Sequence, residues 1–458
     1  MKRIITLFFA VICLSTNAKN NQPKNIIMII GDGMGPAYTT AYRYFNDNPI
    51  TDVVENTVFD RHLVGMSSTY PAKVSGVVTD SAASATALAT GIKSYNGAIG
   101  VDVNKKPLET VLAWAKQQGK KTGIVVTSQI NHATPAAYLA HNESRHNYNK
   151  IADSYFNNHQ SIDLILGGGW QYFIREEINL VEKFKQAGFF YLDKYDDLKY
   201  LTNQSIAQTT LNNKPSILGL FADKGLPWAL DDSNKYRLST MTKAATQYLS
   251  NDNGFFMLIE ASQIDWAGHS NDIAAAMAEM DDLAKTVEYL EDYVNNHPDT
   301  LVILTADHST GGVSVAANGK YIWQPDILRT MVMSPNSIAK KLSTQRINKA
   351  LTTALFNFAL TEDELNHLIV DKRMAEQTAL KESLNEAETS QYLVRTLYKS
   401  INELIDNRTN TGWTSGGHTA IDVPVFAFGA QYQRFYGYQD NIDIAKKIFN
   451  LLGKKTVN

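Results

Sequence analysis

Six stretches of this chain are apolar runs that stop at a polar residue or a glycine turn. Residues 25–31 read NIIMIIG and lead to Asp32. Residues 122–128, TGIVVTS, lead toward His132 and Thr134, and residues 163–169 read DLILGGG. Residues 254–260, GFFMLIE, end at Glu260, and residues 300–308, TLVILTADH, end at Asp307-His308. Residues 423–429, VPVFAFG, follow His418. Unbroken Val, Ile, Leu and Phe runs describe strands covered on both faces, which is the situation of parallel sheets. Amphipathic segments such as 271–295 lie between them. The pattern predicts an α/β fold, a three-layer sandwich with a central, mostly parallel sheet flanked by helices. Open parallel sheets bind ligands beyond the carboxyl ends of their strands. The polar residues of this chain gather at those ends.

Length and composition narrow the reading. The chain has 458 residues, enough for a large core, and its 44% hydrophobic and 19% charged residues fit a soluble globular protein. A net charge of −3 is too mild to imply a nucleic-acid partner. Lys2 and Arg3 precede the apolar stretch IITLFFAVICL, which closes at Ser15-Thr16-Asn17-Ala18. This is the pattern of a secretory signal peptide over residues 1–18, and it predicts a periplasmic or secreted protein. A buried first strand would not begin with two cations. The apolar run is about half the ~20 residues that span a bilayer. Cys13, the only cysteine, lies in this leader. Lipid anchoring through it is disfavoured by the bulky Ile12 before it. A mature chain without cysteine has neither disulfides nor thiolate ligands. Residues 19–458 read as one catalytic domain. Within it, residues 320–410 lack the strand–acid pattern, are rich in Glu, Lys, Ala, Leu and Gln, and predict a helical insertion before the last site strand.

Within TDSAASATALATG, residues 79–91, Asp80 precedes Ser81 at the start of a small-residue helix. Asp-Ser at such a position is ordinarily a helix cap. It also suits a nucleophile, because a helix N-terminus offers free N–H groups and a positive dipole end to a phosphate. The remaining motifs favour the second use. With cysteine absent, His and carboxylates are the zinc ligands left. EASQIDWAGHSND, residues 260–272, carries Glu260, Asp265 and His269, and the last two lie four apart on one helical face. Asp307 and His308 can reach one ion only if the backbone turns, which Ser309-Thr310-Gly311-Gly312 permits. Two carboxylates 4 Å apart repel by about 4 kcal/mol at an effective dielectric of 20. If Asp32, Glu260, Asp265 and Asp307 converge, they need cations.

These residues resemble the alkaline phosphatase family over most of the chain. The resemblance rests on GDGMG (31–35), TDSAASATALATG (79–91), NHATPAAYLAHNESR (131–145), EASQIDWAGH (260–269), TADHSTGG (305–312) and GWTSGGH (412–418). It implies hydrolysis of phosphate monoesters through a phosphoserine, with Ser81 as nucleophile, a broad substrate range and an alkaline optimum. It implies two zinc ions, one on Asp265, His269 and His418 and one on Asp32, Asp307 and His308. A magnesium ion would sit on Asp32, Thr134 and Glu260. Arg145 would clamp two phosphate oxygens, with Asp80 steering it. Family members also imply a homodimer and a crown-like placement of the 320–410 helices.

One position departs from some bacterial members, which have an aspartate where this chain has His132. Together with Trp266, His132 resembles animal and some cold-active bacterial enzymes, and it implies weaker magnesium binding. Related chemistries fit less well. A sulfatase needs Pro and Arg after its modified residue, whereas Ala-Ala-Ser follows Ser81. A diesterase would lack the match to Arg145 and the third site, and an inactive binding protein would have lost a ligand or Ser81. His62, His141, His146, His159, His297 and His367 read as surface or satisfied core residues, and Gly167-Gly168-Gly169 as a strand-end turn.

Overall fold

The structure is a computed structural model that describes residues 22–202 and 214–455. The leader expected over residues 1–18, with Cys13, lies outside the described residues.

Ten strands form one sheet: β1 (Asn25–Gly31), β2 (Leu63–Ser68), β3 (Lys121–Gln129), β4 (Leu164–Gly168), β5 (Phe189–Leu192), β6 (Ser216–Leu220), β7 (Phe255–Ala261), β8 (Thr300–Thr305), β13 (Val423–Gly429) and β14 (Gly437–Asp440). Four two-residue strands lie outside it, β9 (Ser309–Thr310), β10 (Ser314–Val315), β11 (Thr411–Gly412) and β12 (His418–Thr419). The order across the sheet is β14-β2-β13-β8-β1-β7-β3-β4-β6-β5. Only β13 runs against its neighbours, antiparallel to both β8 and β2. This reversal matters for the site. Val425 pairs with Thr305 near the end of β8, so β13 begins at the edge where the parallel strands finish. A residue preceding β13, such as His418, therefore reaches the same edge as residues following β1, β7 and β8.

The apolar runs are continuous because both faces of the sheet are covered. Ile27 and Ile29 of β1 enter one core, with Met257, Ile259, Val302 and Leu304. Ile26, Met28 and Ile30 enter the other, with Leu258 and Ile303. The first core is roofed by helices Arg237–Leu249 and Ile273–Asn296, the second by Ser81–Thr90, Val111–Gln117, Ala133–Leu139 and Asn441–Leu451. Side chains alternate between faces along a strand, so each core receives every second residue. β2, β5, β6 and β14 were not marked by such runs. β5 and β14, at the two edges, are partly exposed.

The 320–410 region folds as five helices, Asp326–Thr330, Pro335–Thr344, Lys349–Phe356, Glu362–Lys381 and Glu386–Thr409. β10 before them pairs with β11 after them, Val315 opposite Thr411, so this helical excursion leaves and rejoins the body at one point.

One buried ion cluster ties the first helical layer together. Arg237 is fully buried, and its guanidinium donates to Asp282 at 2.9 Å and to both oxygens of Glu279 at 2.8 Å. Asp282 also accepts the N–H groups of Leu238 and Ser239, and Glu279 that of Ala229. Removing one partner of a buried pair leaves the other charges uncompensated. Arg237→Met should therefore lower unfolding stability by roughly 3–5 kcal/mol, read from urea denaturation of the metal-loaded protein.

Candidate active site

Four adjacent strands, β3, β7, β1 and β8, deliver the site. Ile30 of β1 lies level with Glu260 of β7 and Thr305 of β8, which places Asp32, Glu260 and Asp307 on neighbouring strand ends. Gly33 makes the turn after Asp32 at φ +73°, and a Cβ there would lie 2.7 Å from the Asp265 Cα. Its N–H and that of His308 both donate to Asp307 Oδ1, at 3.0 and 2.9 Å.

Ser81 starts its helix at this edge. Asp80 serves as the cap, Oδ1 accepting the Ala83 N–H at 2.9 Å, while its Oδ2 accepts from Arg145 at 3.1 Å. The capping role and the site role thus coexist on one carboxylate. The Ser81 hydroxyl lies 3.1 Å from His308 Nε2.

Hydrogen bonds fix the protonation of three imidazoles. His269 Nδ1 lies 2.8 Å from the Gly416 carbonyl, and His418 Nδ1 lies 2.9 Å from the Thr79 carbonyl. A carbonyl only accepts, so each Nδ1 carries the proton and each Nε2 keeps a lone pair. The Thr310 hydroxyl donates to Asp265 Oδ1 at 2.5 Å, so at 3.2 Å it accepts from His308 Nδ1. All three Nε2 atoms then point into the cluster, and each offers a lone pair when its ring is neutral, an arrangement common behind metal ligands.

The side chains form three groups. Asp265, His269 and His418 lie close together: His269 Nε2 is 3.1 Å from His418 Nε2 and 3.4 Å from Asp265 Oδ2. His418 Nε2 is 3.7 Å from Asp265 Oδ1, and its ring stacks on His308 at 3.6 Å, so His308 borders this group too. Asp32, Asp307 and His308 form the second group, with His308 Nε2 at 3.5 and 3.2 Å from the two carboxylates. Asp32, Glu260 and His132 form the third. Thr134 follows His132 by two residues, and its hydroxyl is buried without a hydrogen-bond partner.

The donor chemistry fits divalent cations. Both oxygens of Asp32, Oδ2 of Asp307 and Oε1 of Glu260 are buried and accept no hydrogen bond. Buried carboxylates rarely go unpartnered. Burial, and then Asp307, Asp265 and Glu260, push the Asp32 carboxyl well above the usual range. Burial pushes Glu260 up to about 7, against hydrogen bonds from Ser262 and Ser128. Burial would raise Asp307 as well, but His308 and the Gly33 N–H hold it below its ordinary value. Burial and then His308 push His418 down to about 4.

His132 differs from the other imidazoles. Its Nε2 lies 3.3 Å from Arg145 Nη2, an obligate donor, so the one lone pair of the neutral ring is taken. Burial and then Arg145 push its pKa down to about 3. Trp266 packs edge-on against it at 5.9 Å.

The carboxylates and imidazoles of the three groups stand at one edge with Ser81, Asp80 and Arg145. The structure adds Thr310, which links Asp265 to His308, and Ser84, whose hydroxyl donates to the Asp307 carbonyl at 2.7 Å. It also adds Ser128 and Ser262, which donate to Glu260 Oε2 at 3.2 and 2.6 Å. Ser84, three residues beyond Ser81, was open to discovery from helical spacing alone. Five of the six set-aside histidines bind elsewhere: His62 to Glu291, His141 to the Leu108 carbonyl, His159 to Phe156, His297 to Tyr293 and His367 to Asp371. Gly167 and Gly168 belong to β4, and Gly169 turns the chain into a short helix.

A serine at a helix start, facing three groups of metal-ligating side chains beyond a mostly parallel sheet, marks a hydrolase of the α/β sandwich class. The chain matches the alkaline phosphatase family model over residues 23–454. It is 44% identical over 443 residues to alkaline phosphatase 3 of Bacillus subtilis, covering 95% of this chain and 90% of that protein. The crystal structure of a cold-active alkaline phosphatase from the psychrophile Shewanella sp. is 47% identical, with a TM-score of 0.84, covering 94% of this chain and all of that one. A histidine-to-aspartate variant of the TAB5 alkaline phosphatase, with magnesium bound in its M3 site, is 26% identical with a TM-score of 0.68, covering 95% and 99%. The chain belongs to the alkaline phosphatase family and is a phosphoric monoester hydrolase.

Asp32 gives the most direct test of cation dependence. After chelation, Asp32→Asn should melt at a higher temperature than equally stripped wild type, because a buried carboxyl that costs free energy to ionise or to protonate is gone. With zinc and magnesium in excess the order should reverse, as read by calorimetry on the two proteins side by side.

Proposed function

We propose that the chain hydrolyses phosphate monoesters with Ser81 as nucleophile and Arg145 as the phosphate clamp. Asp265, His269 and His418 would hold one zinc ion, and Asp32, Asp307 and His308 a second. Asp32, Glu260 and Thr134 would hold magnesium. Convergence carries this reading: the Ser81 hydroxyl stands at a helix start, 3.1 Å from His308, beside carboxylate oxygens that no protein group satisfies.

The chain's own groups divide the work. The helix Ser81–Thr90 turns free N–H groups and the positive end of its dipole toward the phosphate. Asp80 holds the Arg145 guanidinium in place, and that planar fork can take two phosphate oxygens at once, which lysine cannot. Ser81 Oγ bonds to phosphorus as the bond to the leaving alcohol breaks, and water then cleaves the phosphoserine. Two displacements give net retention at phosphorus. Bound divalent ions would supply Lewis acidity, lowering the pKa of the serine and stabilising the entering and departing oxygens. Reliance on a serine alkoxide supports an alkaline optimum. No side chain in the set selects a leaving group, which supports a broad range of monoesters.

We also propose a homodimer and a secreted or periplasmic location. The exposed apolar residues Tyr70, Val74, Val77 and Val78, close to the Ser81 helix, support the first. The leader pattern supports the second. Among the described residues no helix is long and apolar enough to cross a membrane.

The test uses an aryl phosphate monoester at alkaline pH. Chelation should abolish turnover, zinc should restore it, and Ser81→Ala should cost several orders of magnitude in kcat. Turnover of a diester or a sulfate ester in preference to the monoester would overturn the assignment of substrate class. His132 gives a second prediction. Its lone pair is engaged by Arg145 and it adds no negative charge, so a hard cation beside it is held weakly. The TAB5 variant that replaces a histidine with aspartate and has magnesium in its M3 site supports this reading. His132→Asp should retain magnesium through dialysis, and wild type should lose it and regain activity when magnesium is added, as followed by metal analysis and rate.

A further inference from the structure

The long helix Glu386–Thr409 ends the excursion, and one of its faces meets the body of the protein. Tyr398 and Asn402 are spaced by four and therefore lie on one stripe of it. The Tyr398 hydroxyl donates to Asp272 Oδ2 at 2.8 Å. Asp272 caps the helix Ile273–Asn296 through the Ala275 N–H, three residues after His269. The Asn402 amide donates to the Ser270 carbonyl at 2.9 Å, directly after His269. Trp413 stands in the loop that leads to His418.

Trp413 ties that loop to the turn after His308. Its ring lies over Gly311, where a Cβ would come within 2.7 Å of Cε3 and Cζ3, and Gly311 has φ +79°. The Gly311 carbonyl accepts from Thr414 and Ser415 at 3.2 and 3.1 Å, and its N–H donates to Gly417 at 2.9 Å. β9 and β12 then pair Thr310 with His418. On the other side, Asn271 adopts φ +50°, and its amide nitrogen donates to the carbonyls of Gly268 and Ser415 at 3.1 and 2.9 Å. The loops bearing His269 and His418 are thus joined to each other and braced from one helix face.

The second group is braced differently. Asp307 is held by the turn at Gly33 and by Ser84, which in turn accepts from Asn441 at 3.1 Å. Asp32 and His308 are wholly buried, whereas the His269 side chain is 40% exposed and that of His418 14%. The first group needs outside support that the second receives from the sheet.

We propose that Tyr398 and Asn402 are positioning residues. Their helix face is a strut that sets the His269–His418 pair and governs how firmly the zinc on Asp265, His269 and His418 is held, without governing the second. The proposal rests on the assignment of that group to zinc made above. Mutations behind metal ligands typically cost about 10–100-fold in affinity.

Zinc release from the full-length, zinc-loaded enzyme to a colorimetric chelator tests it. In Asn402→Ala and in Tyr398→Phe, which removes a single hydroxyl, one zinc per chain should leave about tenfold faster or more, and the other at the wild-type rate. Leu368→Ala, in the buried core of the neighbouring excursion helix, should lower the melting temperature without splitting the two release phases. Parallel acceleration of both ions in Asn402→Ala and Tyr398→Phe, or acceleration of neither, overturns the strut. If His418→Ala releases two zinc ions as wild type does, the assignment of that group to zinc is what fails, and the strut falls with it.

Discussion

Four buried carboxylates on one sheet edge are the constraint on which the rest of this structure depends. Asp32, Glu260, Asp265 and Asp307 are each less than a tenth exposed. Charges of one sign at such separations repel by several kcal/mol at interior dielectrics. Protonation would relieve the repulsion, as the raised pKa values of Asp32 and Glu260 express. Cations relieve it without discarding the charge. Three imidazoles whose Nε2 atoms are turned inward by backbone carbonyls and Thr310 make the second solution available. The edge is costly by itself and becomes stable through what it binds.

The same edge explains why small residues and short hydroxyls recur around it. The helix Ser81–Thr90 is buried at every position, and its Ser, Ala and Thr side chains let it approach the strand ends closely. Ser81 and Ser84, one turn apart, meet the adjacent residues His308 and Asp307. Ser81 and the Asp307-His308 pair are therefore located by a single helix–loop contact. Asp80 likewise serves two ends, capping the helix and orienting Arg145.

The polar groups that brace the site are less visible in the chain. In the chain Thr310 is one residue of the turn after Asp307-His308, yet its hydroxyl joins Asp265 to His308. Arg237, Glu279 and Asp282 look like charges on solvated helix faces, but the packing of two helices buries all three. Tyr398 and Asn402 sit in a region whose charged composition suggests a solvated surface, and only contact with the segment after His269 gives them partners. A polar side chain on a helix reads the same in sequence whether water or another element faces it.

The class of fold and the sheet edge where Asp32, Glu260 and Asp307 stand are legible in the chain alone. This is so because doubly covered strands demand uninterrupted apolar runs, and each run ends where the polar residues begin. Tertiary structure decided the rest. It reversed β13, and so carried His418 to the edge reached by Asp32 and Asp307. It chose the tautomers of His269 and His418 through carbonyls supplied by distant segments. It also engaged the lone pair of His132 with Arg145, a contact between residues thirteen apart in the chain. These outcomes depend on which groups meet across elements, and strand patterning carries no record of partners that arrive from elsewhere in the chain.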